Sequence, residues 1–167
     1  MSGATRNLRD GAIFIEDGSA IPKIFEALLT EGDLAFTEKD QSFIVMDRGR
    51  IDSRKQGDES VLDINFTAKF QQWSGAYGDT GLSLIDVLTG SARARAAGYV
   101  STDQCGPWAV TVKFRVVDPC NKANAEVFTF SNVHISERAF KEGSEYNTVA
   151  VKGDALQGTV VATYETP

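Results

Sequence analysis

The sequence predicts a mainly β domain of sandwich or barrel type, and three observations predict it. Two segments alternate apolar and polar residues with period two, many short β-forming runs are separated by turn signals, and only one run has helical spacing. Val61 to Phe70 sets Leu62, Ile64, Phe66, Ala68 and Phe70 against Val61, Asp63, Asn65, Thr67 and Lys69, the pattern of a half-buried strand. Trp108 to Val117 repeats it, with Trp108, Val110, Val112, Phe114 and Val116 on one face and Lys113 and Arg115 on the other.

In chain order, strands are predicted at 11–16, 23–28, 34–37, 43–46, 61–70, 108–117, 126–135, 147–152 and 159–164. Asp17-Gly18, Glu31-Gly32, Lys152-Gly153-Asp154 and Gln157-Gly158 punctuate them as turns. The helical run is Leu82 to Thr89, with Leu84 and Leu88 four apart, possible caps at Asp79 or Thr80, and a stop at Gly90. At that length it needs a sheet to pack against. Ser136 to Gly143 reads as a second helical turn or an irregular excursion. There is no internal repeat and no dividing linker, so residues 1–167 read as a single domain, with 1–10 as an N-terminal arm.

Between two strand-like runs lies Asp47-Arg-Gly-Arg-Ile-Asp-Ser-Arg-Lys-Gln-Gly-Asp-Glu59, four acids and four bases. A hairpin needs only about 2–5 connecting residues, and connections beyond about 12 without structure of their own are usually functional or disordered. Balanced charge suits a surface that docks on a copy of itself, since each arm carries both signs. Residues 47–59 are therefore expected to form a long charged inter-strand arm, mobile in the monomer and ordered on assembly.

The composition narrows the function. A net charge of −6, without any block of Lys or Arg, argues against gripping a phosphate backbone. No run of about 18 apolar residues occurs, and residues 1–10 lack the apolar centre of a signal peptide, so neither membrane spanning nor secretion is expected. Cys105 and Cys120 flank a strand-like run whose ends lie too far apart to bridge, so both are expected as free thiols. Asn65-Phe-Thr67 matches a glycosylation acceptor by chance, in mid-strand.

Catalytic and metal chemistry find little support. His134 is the sole histidine and no Gly-x-Ser-x-Gly elbow accompanies it, while two cysteines and one histidine form no paired-ligand motif. Gly75-Ala-Tyr-Gly78-Asp-Thr-Gly81 precedes the helix but lacks the dinucleotide and P-loop signatures, and no cation occurs from Phe70 to Ala92. The expectation is no enzyme, no metal and no cofactor. An alternative from another class is a monomeric β-sandwich carbohydrate-binding module using Trp73, Tyr77 and Trp108 as flat stacking faces.

Three blocks carry a family resemblance. Arg6-Asn-Leu-Arg-Asp-Gly-Ala-Ile-Phe-Ile-Glu-Asp-Gly18, the charged arm with its following strand, and Phe130-Ser-Asn-Val-His-Ile-Ser-Glu-Arg-Ala-Phe-Lys-Glu-Gly-Ser-Glu-Tyr-Asn-Thr148 resemble the tail tube proteins of long-tailed bacteriophages. The resemblance implies a β-sandwich or barrel-like tail tube fold with one short flanking α-helix, six copies per ring and rings stacked head-to-tail into a hollow tube for DNA ejection. Its partners would be copies of itself, tail initiator and terminator proteins, and duplex DNA passing without specific binding, with no membrane anchor. It would reside in the virion tail, assembled in the bacterial host cytoplasm.

On that expectation Arg48, Arg50, Arg54 and Lys55 seek acids on an adjacent ring or subunit, and Asp47, Asp52, Asp58 and Glu59 answer its bases. Arg6 and Arg9 act likewise from the N-terminal arm. Asp63, Asn65 and Thr67 are candidates to line the lumen, where an acidic, hydrated wall lets DNA slide. Four strands from each of six subunits, at about 4.8 Å spacing, give a circumference of roughly 115 Å and a diameter of about 37 Å, wide enough for a duplex.

Overall fold

The computed structural model describes residues 11–29, 34–37, 42–47, 50–56, 61–69, 82–117, 125–143, 147–156 and 160–165. Ten strands are described: β1 (Gly11–Glu16), β2 (Ile24–Ala27), β3 (Ala35–Thr37), β4 (Ser42–Asp47), β5 (Arg50–Gln56), β6 (Val61–Lys69), β7 (Ala109–Val117), β8 (Ala125–Lys141), β9 (Thr148–Leu156) and β10 (Val160–Glu165). Two short helices, α1 (Leu84–Thr89) and α2 (Ala92–Ala96), stand between β6 and β7.

The alternation in β6 produces the expected burial: Leu62, Ile64, Phe66 and Ala68 are buried while their neighbours are not. β7 does the same with Val110, Val112, Phe114 and Val116. The main sheet is antiparallel, ordered β2-β1-β7-β8-β9-β6-β3, with β10 also on β8. Its ends meet, because the segment after β2 reaches β6. Leu29 bridges Ala68, and the Lys69 amide donates to the Leu28 carbonyl at 2.8 Å, just ahead of the β3 pairing at Asn65. The sheet thereby curls into a barrel-like body with one continuous apolar interior, which no flat sheet of these strands would enclose.

β8 carries the most informative irregularity. Its register against β7 shifts between the Val112↔Phe130 and Val110↔Val133 pairs, with one extra residue on β8, and Asn132 takes φ 53. An added residue flips the side-chain parity of everything beyond it. Phe128 and Phe130 before the bulge and Val133 and Ile135 after it therefore all pack in the same core, despite opposite sequence parity. Phe36 of β3 closes over this strand, its ring 5.2 Å from Phe130 and 5.9 Å from Phe128.

α1 starts at Ser83 rather than at the predicted caps, and Asp79 and Thr80 lie outside the described residues. Ser83 and Asp86 form a reciprocal capping box, and Ser91 donates to the same carboxylate at 2.7 Å. Burial alone would push the Asp86 carboxyl up, but the Ser83 amide, the Ser91 and Ser83 hydroxyls and the Arg93 charge hold it below the ordinary carboxylate value. Gly90 ends the helix as predicted, at φ 58, and a Cβ there would fall 2.0 Å from the Trp108 ring. α2 was not foreseen. Five residues of Ala-Arg-Ala-Arg-Ala make too little periodicity to read, and Ser91 caps them from a turn.

Two expectations need correcting. Ser136 to Lys141 is neither a helical turn nor an excursion: it continues β8 along β9 to the Lys141↔Thr148 pair. Within the 47–59 arm, Arg50–Gln56 is strand β5, paired antiparallel with β4 from Asp47↔Arg50 to Ser42↔Gln56. The arm is therefore largely the second strand of a hairpin, whose described pairing begins at Asp47↔Arg50. β5 escaped the sequence reading because Ile51 is its only apolar residue, so no period-two signal marks it.

Candidate assembly surface

The β4–β5 hairpin forms a sheet of its own, and no other described strand pairs with it. It also makes no extensive contact with another described element. Two strands alone are marginal in water, and Met46 is 57% exposed. Asp47, Arg50, Asp52, Arg54 and Lys55 are gathered on this hairpin, whose register shifts between Val45 and Met46. Arg48, Asp58 and Glu59 lie outside the described residues, as do Arg6 and Arg9.

Asp63, Asn65 and Thr67 sit on the face of β6 turned away from the core. Register places Asp63 opposite Asp154, Asn65 opposite Lys152 and Thr67 opposite Ala150 of β9. Asp63 and Asn65, with Thr37, Ser136, Lys152, Gly153 and Asp154, line an open depression of about 400 Å³. Gly153 lets β9 approach the bulged strand, since a Cβ there would lie 2.9 Å from Val133 Cγ1 and 3.0 Å from the His134 carbonyl. Lys152 pairs at 2.7 Å with Glu137, but both are more than half exposed and the bridge adds little to stability.

A third surface lies at the end of the barrel where β1 turns into β2. Asp17 is only 3% exposed and its carboxylate accepts from the Ser19 hydroxyl (2.7 Å), the Lys23 amide (2.7 Å) and the Val100 amide (3.1 Å). Burial raises the Asp17 carboxyl, and these hydrogen bonds outweigh that effect and leave it below the ordinary value. The Gly18 amide donates to the Val100 carbonyl at 2.9 Å, and Lys23 Nζ reaches the Ala97 carbonyl while lying 5.5 Å from the Tyr99 ring centroid. On this braced loop Ile21 is 86%, Ile24 60% and Val100 42% exposed. No sequence signal marked it, because a buried turn aspartate looks like any Asp-Gly turn until the distant Val100 amide is placed on it.

The aromatic groove of the alternative reading does not form around Trp108. Its Nε1 donates to the Val87 carbonyl at 2.9 Å, Gly90 approaches its ring, and Arg95 lies 5.5 Å from the ring centroid. Those contacts make Trp108 a packing residue, while Trp73 and Tyr77 lie outside the described residues. His134 Nδ1 lies 3.1 Å from the Trp108 carbonyl and so braces the same junction. Cys105 is a free, exposed thiol, and Cys120 lies outside the described residues. Among the described residues no group of three or more His, Cys, Asp or Glu could hold a metal ion, and no helix is long and apolar enough to cross a membrane.

Comparison with described protein families and with curated proteins finds no match. Solved structures do match. A chain of the sheath/tube terminator of the PVC extracellular contractile injection system in its extended state aligns with TM-score 0.63 and 6% identity, over 98% of this chain and 99% of that one. A chain of the PVC sheath-tube complex gives TM-score 0.61 at 6% identity, over 97% and 93%. The SPP1 tail tube gives TM-score 0.50 at 12% identity, over 98% and 81%. At such identities the likeness is one of fold, and it spans nearly the whole chain: this mainly β, barrel-like protein has the fold seen in tail tubes of a phage and in the tube assembly of a contractile injection system.

Proposed function

We propose that the chain is a structural, non-enzymatic tail tube subunit of a phage or phage-like particle, assembling into hexameric rings stacked head-to-tail and forming the conduit for DNA ejection. The observation that carries the reading is the shared fold over almost the whole chain, with the β4–β5 hairpin standing outside the barrel. A two-stranded charged hairpin with no third strand among the described residues gains stability when another copy pairs with it. In this reading the hairpin is the inter-ring contact, with Arg50, Arg54 and Lys55 reaching acids of the next ring and Asp47 and Asp52 its bases. Arg48, Asp58 and Glu59, and Arg6 and Arg9 of the N-terminal arm, serve the same contacts.

The depression bearing Asp63, Asn65 and Asp154, with Thr67 beyond, supplies lumen wall. A carboxylate pair tolerated across adjacent strands is suited to repelling DNA phosphates, so that DNA slides without sticking. Tail initiator and terminator proteins would begin and end the stack, since a head-to-tail interface has no stopping rule of its own. The particle would be assembled in the host cytoplasm and the chain would reside in the virion tail.

Negative-stain electron microscopy over a concentration series, beside light scattering, tests this reading. Hollow rings with six-fold symmetry and tubes that lengthen with concentration are the expected result. A monodisperse monomer at every concentration, with and without a tail initiator complex, overturns it.

A further inference from the structure

Ile21, Ile24 and Val100 are exposed at one end of the barrel, and two distant segments supply them. Ile21 and Ile24 belong to the turn after β1 and the start of β2, and Val100 to the segment after α2. Hydrogen bonds fasten the two segments together. Asp17 accepts from the Val100 amide, the Gly18 amide donates to the Val100 carbonyl, and Lys23 reaches past the Tyr99 ring to the Ala97 carbonyl at the end of α2. Gly18 and Gly98 permit this approach: a Cβ on Gly18 would lie 2.3 Å from the Ser101 carbonyl oxygen, and one on Gly98 2.7 Å from Lys23 Nζ. The monomer therefore holds these apolar side chains in a set shape while leaving them in water, and covering them would recover free energy at little ordering cost.

We propose that this end receives the β4–β5 hairpin of the next copy, with its exposed Met46 seated against Ile21, Ile24 and Val100. This docking rests on the tube reading and gives the hairpin its receiving surface. Strand direction puts the two parts at opposite ends. β1, β8 and β6 run one way and β7 and β9 the other, so Gly11, Val117, Ala125, Leu156 and Val61 gather at one end and Glu16, Ala109, Lys141 and Thr148 at the other. Thr37 pairs with Asp63, near the start of β6, so the chain enters the hairpin after Thr37 and leaves it before Val61 at the first end. Ile24, opposite Glu16, belongs to the second. A contact between unlike ends is heterologous: every copy keeps one of each, and the series continues as a stack requires. It joins side chains and adds no strand to the main sheet.

Charge favours the same match. The described part of the hairpin carries Asp47, Arg50, Asp52, Arg54 and Lys55, a net +1. The receiving segments 17–27 and 99–108 carry Asp17, Lys23, Glu26 and Asp103, a net −2. The nearby Arg93 and Arg95 face Asp86 and the Trp108 ring. Methionine, unbranched and polarizable, suits the apolar contact because it adapts to the shape it meets.

Cysteine cross-linking tests the docking in a Cys105→Ser, Cys120→Ser background. Met46→Cys and Ile21→Cys both replace exposed residues. With a short bis-maleimide, the chain carrying both substitutions is expected to give a ladder of dimers, trimers and higher multimers. A mixture of the two single variants is expected to stop at dimers, and each single variant alone to remain monomeric on the gel. Melting temperatures matching the background chain certify the fold. Ile21→Cys that links to itself as well as it links to Met46→Cys overturns the proposal, because the contact is then isologous. A link formed only within one chain also overturns it. Tubes visible by microscopy with no ladder overturn it while the tube reading stands; absence of both removes the two together, and a ladder without tubes supports the docking and removes the conduit. A second variant, Ile21→Ser with Ile24→Thr, leaves the Asp17 hydrogen bonds in place and is expected to raise the protein concentration needed for tubes about tenfold or more. An unchanged threshold in that variant removes the apolar contact from the interface.

Discussion

The Asp17 end of the barrel and the β4–β5 hairpin each join a pair of antiparallel strands, but the first is braced by a distant segment of its own chain, whereas no other described strand pairs with the second. At the Asp17 end, a buried carboxylate collects donors from its own turn and from Val100, more than eighty residues later, so β1, β2 and the segment after α2 are held as one unit. The hairpin has only its own ladder between β4 and β5, with no other described strand beside it. A surface whose shape is set by internal hydrogen bonds is pre-organised before a partner arrives, whereas a lone hairpin gains order from the partner. The two regions therefore respond differently to mutation: damage to the Asp17 end lowers monomer stability, and damage to the hairpin leaves the barrel intact and acts on assembly.

The largest effect sought from that contrast is loss of polymerisation. Shortening the chain between Arg48 and Asp58 is expected to abolish tubes while the melting temperature of the barrel moves by less than about 2 °C, because no other described strand pairs with the hairpin. Unchanged tube formation in this variant would remove the hairpin from the assembly surface.

Gly90→Val is expected to act the other way, costing the monomer about 3–5 kcal/mol through backbone strain at positive φ and collision with Trp108, with assembly falling only as folded protein is lost. Urea titration of the monomer checks it. A cost below about 1 kcal/mol would mean that the α1 junction gives way freely.

The smallest effect belongs to Asp17→Asn, expected to cost about 1–3 kcal/mol at neutral pH because an amide cannot accept all of the carboxylate's hydrogen bonds. The sign with pH follows from the direction of the shift. A carboxyl held below its ordinary value of 3.8 contributes stability that is present above that value and is lost as pH falls through the lower folded-state value. The gap between wild type and variant should therefore narrow only in acid, below about pH 3.8. A gap independent of pH down to acid unfolding would show that Asp17 acts by packing and not as an anion.

How legible this was in the sequence depended on how each signal is encoded. β6 and β7 were plain, since each alternates apolar and polar residues on a half-buried surface, and Gly90 was plain as the end of α1. β5 was hidden because a strand with polar residues on both faces has no hydrophobic period, and only its pairing with β4 defines it. The distal part of β8 was hidden for a related reason. Ser136 to Lys141 is exposed throughout, so pairing with β9 and not burial makes it a strand. Of the candidate site, the outward facing of Asp63, Asn65 and Thr67 could be read from parity, but the presence of Asp154 and Lys152 beside them could not.

The sequence by itself determined the fold class, the strands that bury one face, the acidic balance and the segment in which charge is concentrated, because local periodicity and composition carry those directly. Only the tertiary structure decided the closure of the sheet through Leu29 and Ala68, the parity flip at Asn132 that turns four residues of β8 into one core, and the gathering of Val100 onto Asp17. Each of these depends on strand register or on a hydrogen bond between residues distant in sequence. Register and long-range pairing are properties of two segments together, so neither segment records them alone.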